Sequence, residues 1–384
     1  MAGLGVVDAT VIDAVRELGP VVAAERRSAE AAYTMSPVVV DALGPLKVFR
    51  LTGEDCDATL GGTTRVLEEL GFADPSVAWA AANSMSVAML SRALPDDIAA
   101  EVLRDENYFF GVGLPPTGRA DLVDGKFRVS GRWPVVSGCE HASWLALHCV
   151  VHHDGKPQMN GAIPETRFVL APRSAVDIER SWEGVIAVRG SGSHAVRVED
   201  YTCDPASTAA MTAPHRVRSP WESVPPFAQQ SLALAAAATG IGRAAVEAAI
   251  AQASSRVSAA NGSAWIDYPS VQNTIAAADV SVEATRCALF AFADSCWDEL
   301  TCGEFRLRTR ARLHSIADHA FRSSREAVSG LFATGSVDAV RAGHTLEQSL
   351  RDIHGFSVQW ERYRSLHYEA GRVLMGAEPA HPLF

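Results

Sequence analysis

Residues 131–144 read Gly-Arg-Trp-Pro-Val-Val-Ser-Gly-Cys-Glu-His-Ala-Ser-Trp. Trp133 and Ser137 stand four apart in a segment of extended character, and Gly138 follows directly. An indole and a hydroxyl placed this way make a flat apolar wall with a hydrogen-bond donor beside it, which suits a planar polycyclic ligand. The same residues also suit a tryptophan packed inside a β-domain, and spacing alone leaves both readings open.

The chain around this block alternates with a period of two. Phe127-Arg-Val-Ser130, Trp144–Val151 and Ala195-Val-Arg-Val-Glu199 read as strands, separated by Asp124-Gly125, Asp154-Gly155 and Asn160-Gly161 turns. Short strands at this spacing predict a small antiparallel β-barrel or sandwich over residues 106–214. On both sides the period changes to that of helices. Upstream, Ala23–Ala32 and Ser76–Ala93 are helical, and the second is almost uncharged, so burial on most sides is expected. It carries Trp79, Asn83, Met85 and Ser86. Downstream, Leu232–Val257, Pro269–Leu300, Phe305–Ala333 and Thr345–Met375 predict four long helices with short links, a bundle. The expected fold class is therefore α+β, mostly α: a helical unit over 1–105, the central antiparallel β domain over 106–214, and a four-helix bundle over 215–384.

Composition bounds the function. A formal net charge of −11 over 384 residues argues against a nucleic-acid partner. With no run of about 18 apolar residues, no membrane span is expected. The start, Met-Ala-Gly-Leu-Gly-Val-Val-Asp, lacks the basic and apolar regions of a secretory leader, so a cytoplasmic protein is expected. Seven scattered cysteines form no C-x-x-C pair and the twelve histidines no ligand spacing, so no metal is predicted and the thiols are expected to be free and mostly buried. Gly111-Val-Gly113 lacks a third glycine and opens no helix, which excludes a nicotinamide fingerprint.

Helices, then β, then a helical bundle is the layout of the acyl-CoA dehydrogenase superfamily, and local patterns resemble it in order. They are Leu114-Pro115-Pro116-Thr117-Gly118-Arg119-Ala120, the 133–144 block, Trp182-Glu-Gly-Val-Ile-Ala-Val-Arg-Gly-Ser-Gly-Ser-His194, Pro269-Ser-Val-Gln272 and Arg351-Asp352-Ile-His354. The chain is most similar to the superfamily's oxygenase branch, the group D two-component flavin-dependent monooxygenases. A dehydrogenase of this family needs a carboxylate base to take an α-proton. The family position in the last helix falls here on Gln359-Trp360, with Glu361 one step off, and the other family position has no acid between Glu222 and Glu247.

The resemblance implies reduced flavin supplied by a separate reductase, dioxygen as co-substrate, and hydroxylation of an electron-rich small molecule through a flavin C4a-hydroperoxide kept from water. FAD is favoured slightly over FMN, and a homotetramer is implied. Trp133 is the expected ring-packing residue, with Ser137 and Gly138 beside it and Ser137 as the donor near flavin N5. Ser193 is a second donor, and Arg256 and Gln272 are expected at the flavin phosphate or adenosine. Phenol-hydroxylating members carry histidines where this chain has Gln359 and, on the buried N-terminal helix, Asn83 with Ser84 and Ser86. An amide orients but does not deprotonate, so Asn83 and Gln359 are read as orienting groups for a substrate already nucleophilic: an indole, a polyketide ring or an amine. The alternatives are an acyl-CoA dehydrogenase, an amine or amino-sugar N-oxygenase, and a non-catalytic flavin-binding scaffold.

Overall fold

A computed structural model describes residues 6–384 other than 211, 212, 217, 218, 259, 260, 362, 382 and 383. The reading of Met1–Gly5 thus lies outside the described residues. The N-terminal unit contains α1 (Val6–Ala32), α2 (Pro37–Leu43), α3 (Leu60–Ala73), α4 (Pro75–Ala88) and α5 (Asp96–Val102). Pro75 opens α4 at its first turn and the Asp74 carboxylate accepts the Ser76 N–H at 2.8 Å, a cap that fixes where the helix begins. Its nearly uncharged sequence is buried almost throughout, and Met89–Ala93 continue it as a tighter 3₁₀ turn.

The middle unit runs β1 (Phe110–Val123), β2 (Lys126–Val136), β3 (Trp144–His153), β4 (Lys156–Pro157), β5 (Met159–Asn160), β6 (Ile163–Pro164), β7 (Thr166–Pro172), β8 (Asp177–Glu179), β9 (His194–Cys203) and β10 (Thr208–Ala209). Its main sheet has the order β10-β7-β3-β1-β2-β9-β8, with β4 hydrogen-bonded to β3. The expectation of a purely antiparallel domain needs correction, because β1 and β3 pair in parallel while the other contacts are antiparallel. The cause is a crossing. After the Asp124-Gly125 turn sends β2 back along β1, residues 137–143 pass over the end of β1, and β3 pairs on its far side. The β1–β3 register shifts between Gly113 and Gly118, the stretch holding Pro115 and Pro116, neither of which can donate to a ladder.

The bundle is α6 (Pro226–Ser255), α7 (Pro269–Thr301), α8 (Leu307–Ala333) and α9 (Thr345–Trp360), followed by α10 (Arg364–Leu374). The last predicted helix is two: the chain turns after Trp360 and restarts at Arg364. Over Phe227–Ser255, α6 is long and apolar enough to cross a bilayer by length and composition alone, and most of it is buried inside the protein. It packs against α3, α4, α7, α8 and α9, and its apolar faces are core faces. All seven cysteines are free; Cys56, Cys139, Cys149, Cys203 and Cys296 are buried, Cys287 and Cys302 exposed.

Candidate active site

A cavity of about 460 Å³ opens where the three units meet, between α4, β1, β7, the 210–225 connection, α6 and the turn after α9. That volume suits a small organic ligand, as does a lining that is mainly apolar with a few placed polar groups. Val112, Leu114, Phe168, Phe227 and Tyr363 supply apolar and aromatic surface; Asn83, Ser86, Gln229, Gln230, His215 and Glu222 supply the polar atoms.

Those polar atoms are incompletely satisfied by protein. Asn83 Nδ2 donates to the Trp79 carbonyl at 2.8 Å, one helical turn back, which leaves its Oδ1 for a ligand. Ser86 has one hydroxyl proton, and three oxygens compete for it: Gln230 Oε1 at 2.8 Å, Ala82 O at 3.1 Å and Gln229 Oε1 at 3.3 Å. With both glutamine carbonyls turned to Ser86, their amide N–H groups are left to the cavity. His215 Nδ1 is buried with no partner among the described residues. Burial holds this imidazole below its ordinary pKa, with Arg92 adding to the depression and Glu222 opposing it. Sequence reading missed His215, Gln229, Gln230 and Tyr363; only the absence of acids at the start of α6 hinted that this helix faces something other than solvent.

A second polar cluster lies about one helical turn along α4, at Trp79. Ser137, on the crossing loop, and Ser193, before β9, put their hydroxyls 2.9 Å apart, and Ser191 is 2.8 Å from Ser193. Trp79 Nε1 donates to Ser137 at 2.9 Å, while its ring meets Phe356 of α9 edge-on at 5.0 Å. Gly138 donates its N–H to the Ser191 carbonyl at 2.8 Å. It has φ +65°, and a Cβ there would lie 2.4 Å from the Phe109 ring, so only glycine fits this corner. The structure thus brings Ser137, Gly138 and Ser193 together, and it joins them to the cavity through α4.

Other predicted residues sit elsewhere. Trp133 is fully buried inside the β domain and lines no part of the cavity. Its indole crosses the backbone of β1, where a Cβ on Gly113 or Gly118 would lie 2.6 or 2.2 Å from the ring, and its N–H donates to the His148 carbonyl at 2.9 Å. The reading of Trp133 as a flavin wall is corrected to a core tryptophan. Gln359 is half-buried and does not line the cavity; with the helix broken after Trp360, Tyr363 reaches it instead. Glu361 is exposed and paired with Arg364 at 3.0 Å, turned away from any role as a base. Arg256 and Gln272 lie off the cavity but at one place: the Arg256 guanidinium pairs with Asp338 and sits 5.2 Å over Trp265, and Gln272 Nε2 donates to the Ile266 carbonyl at 2.7 Å.

The other quoted motifs hold the units together. Asp352 is buried and accepts the Val188 N–H at 2.7 Å and Arg26 Nη2 at 2.6 Å, joining α9 to the loop before β9 and to α1. His194 Nδ1 accepts the Trp182 N–H at 3.1 Å, a loop-fixing bond, whereas His354 is exposed.

Residues 232–358 match the family described as acyl-CoA dehydrogenase, C-terminal domain. The indole-3-acetate monooxygenase of Pseudomonas putida is 27% identical over 240 residues, 62% of this chain and 60% of that protein. The flavin-dependent monooxygenase oxygenase subunit HsaA of Rhodococcus jostii is 31% identical over 259 residues, 62% of this chain and 63% of that one. The chain thus spans rather less than two thirds of the length of these two curated relatives. Among solved structures, XiaF from Streptomyces sp., in complex with FADH2 and glycerol, superimposes with a TM-score of 0.88 at 19% identity, covering 98% of each chain. The helix–sheet–bundle order is thus the acyl-CoA dehydrogenase-like fold, the bundle matches that family's C-terminal domain, and the chain is similar to oxygenase components of flavin-dependent monooxygenases.

Proposed function

We propose that this protein is the oxygenase component of a two-component flavin-dependent monooxygenase that hydroxylates an electron-rich small aromatic molecule. One observation carries the reading: the cavity is mainly apolar and aromatic, with the polar side chains of Asn83, Ser86, Gln229 and Gln230 placed in its lining. A planar aromatic group is the ligand such a lining fits. A dehydrogenase reading needs a carboxylate on the last helix facing the same space, and Glu361 is exposed, paired with Arg364 and not part of the cavity lining.

Reduced flavin with dioxygen supplies an electrophilic oxygen atom when bound. The chain's own contribution is to exclude water and to orient. Val112, Leu114, Phe168 and Phe227 keep the space apolar, so that stray protons are scarce. Asn83 Oδ1 and the Gln229 and Gln230 amides fix the substrate's tilt through hydrogen bonds. Ser137, held from one side by the Trp79 N–H, is the preorganised hydroxyl on the β-domain side.

FAD is preferred over FMN because Arg256 and Gln272 converge on the Trp265–Asp267 turn, where a guanidinium, an indole and an amide suit a phosphate and an adenine ring. The partner is a separate reductase delivering reduced flavin, the assembly a homotetramer, and the compartment the cytoplasm. Turnover under ¹⁸O₂ with externally reduced flavin and a panel of phenols and indoles tests the reading. Incorporation of one ¹⁸O into an aromatic product is expected. Flavin oxidation with no labelled product from any ring substrate refutes it, and bleaching of bound oxidised flavin by an acyl-CoA favours the dehydrogenase.

A further inference from the structure

We infer that Arg310 pairs with a carboxylate on the substrate, so that the substrate is an aromatic acid and not a neutral ring. This rests on the cavity being the substrate site of the proposed monooxygenase. Arg310 stands in the first turn of α8 and lines the cavity, as do Tyr363 and Phe384. Its Nη1 donates to the Phe384 carbonyl oxygen at 2.7 Å, and the Phe305 ring lies 5.3 Å from the guanidinium carbon. Nη2 makes no hydrogen bond to a described residue and, unlike Nε, is not closed off from solvent. Its two N–H groups are left for an acceptor in the cavity.

Among the described residues, no Asp or Glu side chain pairs with this cation. The acids near it in sequence are committed elsewhere. Glu299 accepts the Arg306 N–H at 2.6 Å and the Thr309 hydroxyl at 2.7 Å, and Glu304 pairs with Arg306 at 2.8 Å. Glu222 also lines the cavity, but it is exposed and forms no ion pair with Arg310. One turn further along α8, His314 is pushed down to about 4, by burial first and then by the positive charge of Arg310, His367 and His381. The acid in that direction, Asp318, is held by Arg322 at 2.8 Å and by the Trp360 N–H at 3.1 Å. This corner of the cavity is therefore electropositive. Burial lowers the pKa of Arg310 from its ordinary value, yet a guanidinium stays charged at neutral pH. A half-buried cation with no acid side chain beside it costs free energy, and an anionic ligand offsets that cost. The planar fork of N–H groups matches the two oxygens of a carboxylate. The apolar and aromatic lining takes the ring while Arg310 takes the charge, and a ring held by an ion pair presents a fixed carbon for reaction. Neutral phenols and indoles fill the ring space but leave the guanidinium unmatched, so they bind more weakly.

The test measures binding to the full chain by calorimetry with three pairs of probes. They are 4-hydroxybenzoate, 4-hydroxyphenylacetate and 3-(4-hydroxyphenyl)propanoate, each against its own amide, so that the members of a pair differ in charge and hardly in size. For at least one pair the acid should bind about tenfold more tightly than the amide, the scale of a hydrogen bond to a charged group. Arg310→Gln should remove that preference by weakening the acid alone, and Arg310→Lys should restore part of it. The unchanged affinity for the amide reports that each variant is folded, and the wild-type comparison decides the matter even where a variant is not. With reduced flavin and oxygen, Arg310→Gln should raise KM for the acid about tenfold and leave kcat unaltered. Equal affinity for acid and amide in all three pairs overturns the inference, as does failure of every probe to bind or an acid preference that survives Arg310→Gln. An acid preference without ¹⁸O-labelled product would keep the anion site and refute the monooxygenase reading. Labelled product from neutral rings with no acid preference would remove Arg310 alone.

Discussion

Two polar clusters lie along α4, one at Trp79 and one at Ser86, and treat hydrogen bonding in opposite ways. At Trp79, this residue, Ser137, Ser193 and Ser191 bond to one another in a chain with every link between 2.8 and 2.9 Å. At Ser86 the hydroxyl is over-subscribed by the Gln229 and Gln230 carbonyl oxygens, and His215 Nδ1 has no partner among the described residues. A closed network gains stability and a fixed geometry. An open one gives up stability for the capacity to bind. The difference separates a preorganised cluster from an open one without reference to any ligand.

Substitutions should divide along that line. The largest effect is expected at Trp133, wholly on the scaffold side: Trp133→Ala should lower unfolding free energy by about 4 kcal/mol in a denaturant titration. The remaining folded protein should bind flavin normally, and a loss under about 1 kcal/mol would return the indole to the site. Next, Ser137→Ala strands the buried Trp79 N–H and should cost about 2 kcal/mol. Full retention of stability would mean that the serine chain is as open as the cavity.

On the open side the sign of the contrast changes. Gln230→Leu should leave stability within about 0.5 kcal/mol of the wild type while weakening aromatic ligand affinity by about 1 kcal/mol, roughly fivefold, by calorimetry. Gln359→His should change substrate preference less than twofold, because residue 359 does not line the cavity; a switch in preference would show that α9 reaches further than described. The smallest effect is on pH dependence. His215 has a folded-state pKa below its ordinary 6.5, so protons bind the unfolded chain first. Its contribution is complete above pH 6.5 and is lost as pH falls below that value, and His215→Gln should flatten the acid limb of the stability curve slightly.

The order of the units, the individual helices and the hairpin turns were legible because each depends on local periodicity and turn chemistry. The parallel β1–β3 pair was not, since a crossing over a strand end leaves no periodic trace. Of the residues singled out by motif and helix position, Asn83 lines the cavity, and Ser137, Gly138 and Ser193 meet in one cluster beside α4. Trp133 was misread because an aromatic in an extended segment looks the same whether it faces a ligand or the glycines of the next strand. Gln359 was misplaced by one unmarked helix break. His215 stands in an irregular connection, where spacing carries no information about facing.

The distribution of thiols has its own consequence. Burial pushes Cys139, Cys149 and Cys296 up to about 12 and Cys203 up to about 11, so almost none of these sulfurs exists as thiolate at neutral pH. Oxidants attack the thiolate, and an oxidant in solution would meet Cys287 and Cys302 at the surface, although the hydrogen bond to Glu283 pushes the Cys287 thiol up as well. Both lie on or just beyond α7, away from the cavity, so sulfenylation would begin on the bundle surface and spare the interior.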